Sequence, residues 1–416
     1  MLTLQSRHRL DIGLRHFAFA LSACAWARDT ERLTSRLEAG WSPGGQGLAC
    51  RSVRSGFHLF LDALDLPAGS EVLVSAVTHP DMVSILEAHG LVAVPVDLNV
   101  ATLAPRLELA ERLMTVRTKA ILIAHLFGGR VDMDPIVGFA ARHGLLVWED
   151  CAQAFSGPGD TGDSRADLSM YSFGALKTCT ALGGALLTVR SSSVLQRMRG
   201  TQARWRPQGR RTYLAGVIRF LAFSLVTRPI AYGVLARGLK ASGADFDRVV
   251  NSSVRAFRAG ALLAQLEVRP CAPLLAMLAY RLTTFDEARL RRRTASGEWL
   301  GAHLPGDLTL AGRRMGRPTH WLFPVVSSQP DELIRACRHA GIDAARGASS
   351  VTVVAAPAGR PESEASAAAQ MMSRLVFLPA YPELAEHPRA RLALAIASVF
   401  TATARPETAS RRVTQP

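Results

Sequence analysis

The sequence predicts an α/β fold: a large domain built on a mostly parallel sheet, followed by a smaller C-terminal α/β domain. Three observations support this. From about residue 50 to 200, short apolar runs alternate with longer stretches of helical period, the pattern of βαβ units. A second, shorter alternation runs from about 270 to 400. A chain of 416 residues exceeds one small core and suits a large domain plus a smaller one.

Residues 1–45 form a helical lead-in. Its modestly apolar run from Phe17 to Trp26 is followed by Arg28, Asp29, Glu31 and Arg32, and it ends at the turn-rich Ser42-Pro43-Gly44-Gly45. With no small-residue cleavage site evident, this is an amphipathic helix rather than a signal peptide. The large domain covers 46–270. Its expected strands are 71–77, 91–96, 120–125, 145–149, 168–173 and 185–189, with helices at 56–64, 81–89, 107–115 and 135–143. Within it, 213–239 is unusually apolar, but Arg219, Arg228 and Arg237 interrupt it and Pro229 breaks it. A transmembrane helix needs about 20 mostly uncharged residues. The stretch is therefore expected as a helical hairpin at a subunit or domain contact, or as an interfacial pair touching a membrane peripherally or an apolar substrate. The small domain, 271–402, carries a long polar helix at 280–303, a strand at 321–326, a helix at 331–340, an Ala/Ser/Gly-rich loop at 346–372 and a strand at 375–378. The polar tail 403–416 has no apolar periodicity and is expected to be disordered.

The net charge of +15 and pI near 10.6 would suit nucleic acid, an anionic membrane surface or a phosphorylated substrate, with phosphorylated ligands ahead of nucleic acid. The arginines, however, are spread along the chain, with no aromatic RNA-binding signature, zinc-finger spacing or basic arm, so no nucleic-acid partner is expected. Six well-separated cysteines without a C-x-x-C pair argue against a zinc site or a disulfide framework. They fit a reducing cytoplasm.

The chain has 49 basic residues but only three lysines, Lys119, Lys177 and Lys240. Lys177 lies in Tyr171-Ser172-Phe173-Gly174-Ala175-Leu176-Lys177-Thr178, shortly before Gly183-Gly184. Arginine can supply charge anywhere but cannot form a Schiff base, which marks this amine as a candidate nucleophile. The apolar run Leu145-Leu146-Val147-Trp148 ends in Glu149-Asp150-Cys151-Ala152-Gln153. A carboxylate at a buried strand end calls for a cationic partner, such as a pyridinium nitrogen; Asp150 would equally serve as a helix N-cap. Ser172 and the loop amides near it would suit a phosphate, and so would the helix opening at Arg54-Ser55-Gly56, although Ser55 also fits a plain N-cap.

These segments resemble the DegT/DnrJ/StrS-type aminotransferases, a branch of the fold type I pyridoxal-phosphate enzymes. The resemblance runs from about Ser55 to Gly184 and more weakly to about Ala395. Ser172-Phe173-x-x-x-Lys177 matches the Schiff-base motif, which implies that Lys177 carries pyridoxal 5'-phosphate. Trp148-Glu149-Asp150-Cys151-Ala152-Gln153-Ala154 resembles the E-D-x-A-Q/H segment. That implies Asp150 as partner of the pyridine nitrogen and Gln153 as a contact to the ring hydroxyl. Ala124-His125-Leu126-Phe127-Gly128 and Val77-Thr78-His79 resemble further strand ends, which adds His125 to the cofactor-binding set and places His79 stacked on the ring. Ser55-Gly56-Phe57 stands where the family has S-G-T, and Asn251 falls where an asparagine reaches the partner subunit's cofactor phosphate. Phe377-Leu378-Pro379-Ala380-Tyr381-Pro382 resembles a late L-P-x-Y-P turn. The chain departs from the pattern at Phe57, at Leu182 (where an acid is usual) and at Ser253 (where an arginine is usual). It also lacks the tyrosine/proline/histidine segment near Gly341-Ile342.

The resemblance implies a fold type I homodimer with shared active sites and no metal. It would transfer an amino group from an amino acid, for example glutamate, to a keto or aldehyde acceptor such as a nucleotide-linked keto-sugar. The alternative is a non-catalytic, membrane-associated or regulatory relative that kept the fold.

Overall fold

The computed structural model describes residues 3–7, 9–241, 262–306, 308–346 and 350–403. Two helices open the chain, α1 (Leu14–Trp26) and α2 (Thr30–Trp41), the latter N-capped by Asp29. There follow β1 (Gly47–Cys50), α3 (Val53–Leu64), β2 (Glu71–Ser75), β3 (Val77–Thr78), α4 (Pro80–Ala88), β4 (Val92–Val96) and α5 (Leu107–Leu113). Then come β5 (Thr118–Ala124), α6 (Met133–His143), β6 (Leu146–Asp150), β7 (Leu168–Ser172) and β8 (Ala185–Val189).

Seven of these strands form one sheet in the order β1-β8-β7-β6-β5-β2-β4. β8 runs antiparallel to both neighbours and the other pairs are parallel. The sheet is covered on both faces, which is why its strands appear as continuous apolar runs. Alternate residues feed opposite cores. Leu73, Ile121, Ile123 and Val147 face one core, while Val72, Val74, Leu122 and Trp148 face the other. The strand order reverses at β2: β4 lies on one side and β5 on the other. In open parallel sheets this switch point, at the carboxyl ends, is where ligands bind.

Beyond the sheet lie α7 (Ser192–Arg204), β9 (Arg206–Pro207), α8 (Arg210–Val226), α9 (Pro229–Ala241), α10 (Leu262–Leu266), β10 (Val268–Arg269), α11 (Ala272–Thr283) and α12 (Glu287–Ala302). The apolar 213–239 stretch spans α8 and α9, which meet at 91°; among the described residues no single helix is long and apolar enough to cross a membrane. The C-terminal part holds β11 (Thr309–Leu310), β12 (Phe323–Val326), α13 (Pro330–His339), β13 (Thr352–Val353), α14 (Ser366–Arg374), β14 (Leu375–Leu378) and α15 (Glu386–Thr403). Strands β11, β12 and β14 make a small antiparallel sheet.

Three expectations differ from the structure. The polar helix 280–303 is two helices, broken where Asp286 caps α12 by accepting from the Arg289 backbone N–H at 2.8 Å. The segment 346–372 is not simply loop. Its alanines, the strongest helix formers, start α14, and β13 pairs with β3 in the large domain, Thr352 opposite Thr78. The helix expected at 56–64 begins at Val53, capped by Ser52 instead of Ser55. Of the tail expected to be disordered, 403–416, Thr403 ends α15 and the rest lies outside the described residues.

Candidate active site

Asp150 ends β6 beneath the loop that carries Lys177. Its carboxylate accepts one hydrogen bond, from the Ala152 backbone N–H at 3.0 Å, and its charge faces Lys177 and His125. Burial raises the Asp150 pKa, opposed by the Ala152 N–H and by the Lys177 charge. Burial also pushes the Lys177 amine down to about 8, with Asp150 opposing and Arg54 adding to the depression. Desolvation thus favours the neutral form of each, while their mutual attraction favours the ion pair.

The Lys177 loop is held from several sides. The Lys177 backbone N–H donates to Gly174 at 2.9 Å, and the Ala181 and Gly183 N–H groups donate to Phe173. The Gly183-Gly184 pair has a steric reason. Gly184 has φ +88°, and a Cβ there would stand 2.7 Å from a Leu278 methyl. Asp11, in the lead-in, accepts from the Cys179 N–H at 2.7 Å, Arg281 donates to Thr180 at 2.9 Å, and Arg293 donates to the Thr178 hydroxyl at 3.1 Å.

Trp321 covers the amine. Lys177 Nζ lies 4.3 Å from the centre of the Trp321 ring, whose Nε1 donates to the Leu176 carbonyl at 2.7 Å. The ring face adds a cation–π contact to the attraction of the Asp150 carboxylate. Trp321 is brought there because Thr319 binds the Gly128 carbonyl through both its N–H and its hydroxyl. A Cβ at Gly128 would collide with that loop.

Glu149 lies on the opposite face of β6 and is fully buried. It accepts from His125 Nε2 at 2.8 Å, Arg130 at 2.9 Å, the Ser169 hydroxyl at 2.6 Å and the Asp163 N–H at 2.7 Å. These donors hold its carboxyl down at about 2 against the opposing effect of burial. His125 Nδ1 accepts from the Val131 N–H at 3.0 Å. That assigns the neutral tautomer with the proton on Nε2, directed at Glu149. His125, Glu149 and Cys151 place donor atoms within 4.8 Å of one another. The Arg130 guanidinium already contacts Glu149 at 2.9 Å and Cys151 at 3.5 Å, supplying the positive charge there.

The other expected residues differ in how they meet this centre. Gln153 accepts from the Phe127 N–H at 2.9 Å, which leaves its amide NH2 as the free donor. Ser172 ends β7, its hydroxyl accepting from the Gly174 N–H at 3.4 Å. His79 caps α4, accepting from the Asp81 N–H at 3.2 Å, and Asp81 also binds Arg54 at 2.6 Å. Ser55 lies in the first turn of α3 with its hydroxyl 3.0 Å from Ser52 Oγ. Gly56 is a packing residue: a Cβ would sit 2.7 Å from Leu187. Phe57 is not brought to the centre; its ring is fully buried and edge-on to Trp148. Asn251 lies outside the described residues. Trp321, Arg293 and Asp11 were not expected at the site. Trp321 and Asp11 are more than a hundred residues from the lysine, and no local motif signals them.

The donor set fits a pyridoxal phosphate group. A buried carboxylate with a single hydrogen-bond donor suits a cationic ring nitrogen, and a desolvated amine stands opposite it.

A model of the DegT/DnrJ/EryC1/StrS aminotransferase family matches residues 42–215. GDP-perosamine synthase of Caulobacter vibrioides is 31% identical over 196 residues, 46% of this chain and 53% of that protein. UDP-N-acetyl-3-dehydro-α-D-glucosamine 3-aminotransferase of Acidithiobacillus ferrooxidans is 34% identical over 161 residues, 38% of this chain and 44% of that protein. The chain thus spans about half the length of these relatives. The solved aminotransferase TlmJ from Streptoalloteichus hindustanus has the same fold over 96% of this chain and all of its own, with a TM-score of 0.69 at 16% identity. The overall fold is thus shared with that solved structure, and residues 42–215 are similar to the DegT/DnrJ/EryC1/StrS aminotransferase family.

Proposed function

We propose that the chain is a pyridoxal-phosphate-dependent aminotransferase. It moves an amino group from an amino acid such as glutamate to a keto or aldehyde acceptor of the nucleotide-linked keto-sugar class. The observation that carries this reading is the desolvated Lys177 amine facing the buried Asp150 carboxylate at the sheet's carboxyl edge. The acceptor class is supported by the two relatives named for GDP- and UDP-linked sugars.

Bound pyridoxal phosphate supplies an aldehyde carbon and an electron-withdrawing ring. Lys177 is the residue that holds it covalently. With the cofactor bound, Lys177 Nζ would be the group placed to accept and return a proton of the amino donor. An amine poised near 8 is suited to that task close to neutral pH. Asp150 would hold the ring nitrogen in its protonated form, since its buried carboxylate would gain a cationic partner there. The free NH2 of Gln153 would donate to the ring hydroxyl, and His79 would be the side chain to stack on the ring. His125 acts through Glu149 and the β5 turn, as a positioning residue. The N-terminus of α3, with Arg54 and Ser55, together with the Ser172 hydroxyl, takes the phosphate. Asn251 contributes from the partner subunit of a homodimer. The setting we infer is the cytoplasm, which the widely spaced cysteines support.

The test is spectroscopic. Purified protein supplied with the cofactor should gain a visible absorbance that an amino donor bleaches. A UDP- or GDP-linked keto-sugar should then be aminated, detected by mass. A folded protein that gains no absorbance would refute the assignment and favour a non-catalytic relative.

A further inference from the structure

We infer that the outer face of α1, α8 and α9 docks onto an anionic lipid bilayer. This is independent of the chemistry at Lys177. Ten large apolar side chains are exposed among the described residues, and eight of them lie on these three helices. Each of α1 and α8 is apolar on both sides. The inner side of α1 buries Phe17, Ala20 and Cys24, and that of α8 buries Tyr213, Val217 and Phe220. The outer side of α1 exposes Leu14, Leu21 and Trp26; α8 exposes Ile218 and Leu225, and α9 exposes Ile230, between 37% and 66% of each side chain. A helix that is apolar all round is normally covered on every side, and scattered single residues do not form such strips.

The helices are fixed in this pose. Arg210, at the start of α8, donates to the Cys24 carbonyl at 2.7 Å, at the end of α1. The Tyr213 hydroxyl donates to Ala181 at 2.9 Å, and Tyr232 on α9 donates to Asp343 at 2.6 Å. The outer strips therefore cannot turn inward without breaking buried bonds.

Charge identifies what covers them. No aspartate or glutamate occurs between Asp167 and Asp245, and α1 contains none. The exposed strips are interleaved with the exposed Arg15, Arg211, Arg219, Arg228 and Arg237. A symmetric contact between two copies would set this face against itself and bring like charges together. A surface of acidic headgroups over acyl chains matches both components: arginines to the headgroups, apolar side chains and Trp26 to the boundary beneath. The 91° bend between α8 and α9 suits helices lying along a surface.

The experiment is flotation of the full chain with vesicles of equimolar phosphatidylcholine and phosphatidylglycerol, against vesicles of phosphatidylcholine alone. The protein should float with the former, less so in high salt, and remain below with the latter. Ile218→Asp with Leu225→Asp, at exposed positions that leave the fold intact by circular dichroism, should weaken partitioning at least about tenfold. Absence of flotation with the anionic vesicles would overturn the inference, and so would unchanged flotation of the double variant. A fall in the solution mass of the double variant, measured by light scattering, would also overturn it by assigning the strips to a subunit contact.

Discussion

Replacing Glu149 with glutamine tests whether the buried carboxylate beneath the site is held charged by its four donors. In the folded chain its carboxyl lies at about 2, against an ordinary value of 4.5. Because Glu149 is fully buried, that difference corresponds to about 3 kcal/mol of stability at neutral pH. Removing one partner of a buried ion pair gives a similar figure, about 3–5 kcal/mol, since Arg130 would keep its charge. The sign follows from the lowered pKa. The contribution is fully present above 4.5 and is lost as pH falls from there toward 2. Urea unfolding of the wild type and of Glu149→Gln, followed by fluorescence with the buried Trp148 as the adjacent reporter, should therefore show a gap of about 3 kcal/mol at pH 7. The gap should narrow progressively below pH 4.5. A gap under about 1 kcal/mol at pH 7, or one independent of pH, would refute the argument.

Three further outcomes follow from the geometry. In cofactor-free protein, labelling of Lys177 by a small aldehyde and borohydride should rise with pH with a midpoint near 8. Asp150→Asn should lower that midpoint, because the lost carboxylate no longer supports the ammonium, and Arg54→Gln should raise it; a wild-type midpoint near 10.5 would contradict the burial argument. Glycine substitutions should separate by packing. Gly56→Ala, 2.7 Å from Leu187, should cost about 1–3 kcal/mol, whereas Gly138→Ala inside α6, where the nearest atom is 3.8 Å away, should stabilise by about 0.4–1 kcal/mol in the same unfolding assay. Arg7→Ala breaks a fully buried pair with Asp343, at 2.6 and 2.7 Å, and should cost about 3–5 kcal/mol by thermal or urea unfolding.

The parts of the site legible in the sequence are those that a strand end and its following loop carry together. Asp150 and Gln153 share one strand exit, and Ser172 and Lys177 share the next. The sheet was legible for the same reason, since strands buried on both faces are apolar without interruption. Phe57 illustrates the limit. The S-G-x match placed it at the phosphate, but the helix begins three residues earlier than the apparent start, at Val53, and that phase turns Phe57 into the core. The break at Thr284–Asp286 was hidden because the surrounding charged residues carry no apolar period. Strand β1 was missed because Gly-Leu-Ala-Cys is too short to show alternation. Trp321, Asp11, Arg281 and Arg293 meet the lysine loop across more than a hundred residues of chain, through contacts that only the tertiary fold creates.

The account rests on a covalent bond between Lys177 and the cofactor. Borohydride reduction of the protein with pyridoxal phosphate, followed by digestion and mass analysis, should place the modified residue in the Tyr171–Thr178 peptide, and Lys177→Ala should eliminate it. An adduct on Lys119 or Lys240, or none in protein shown to be folded, would contradict the account.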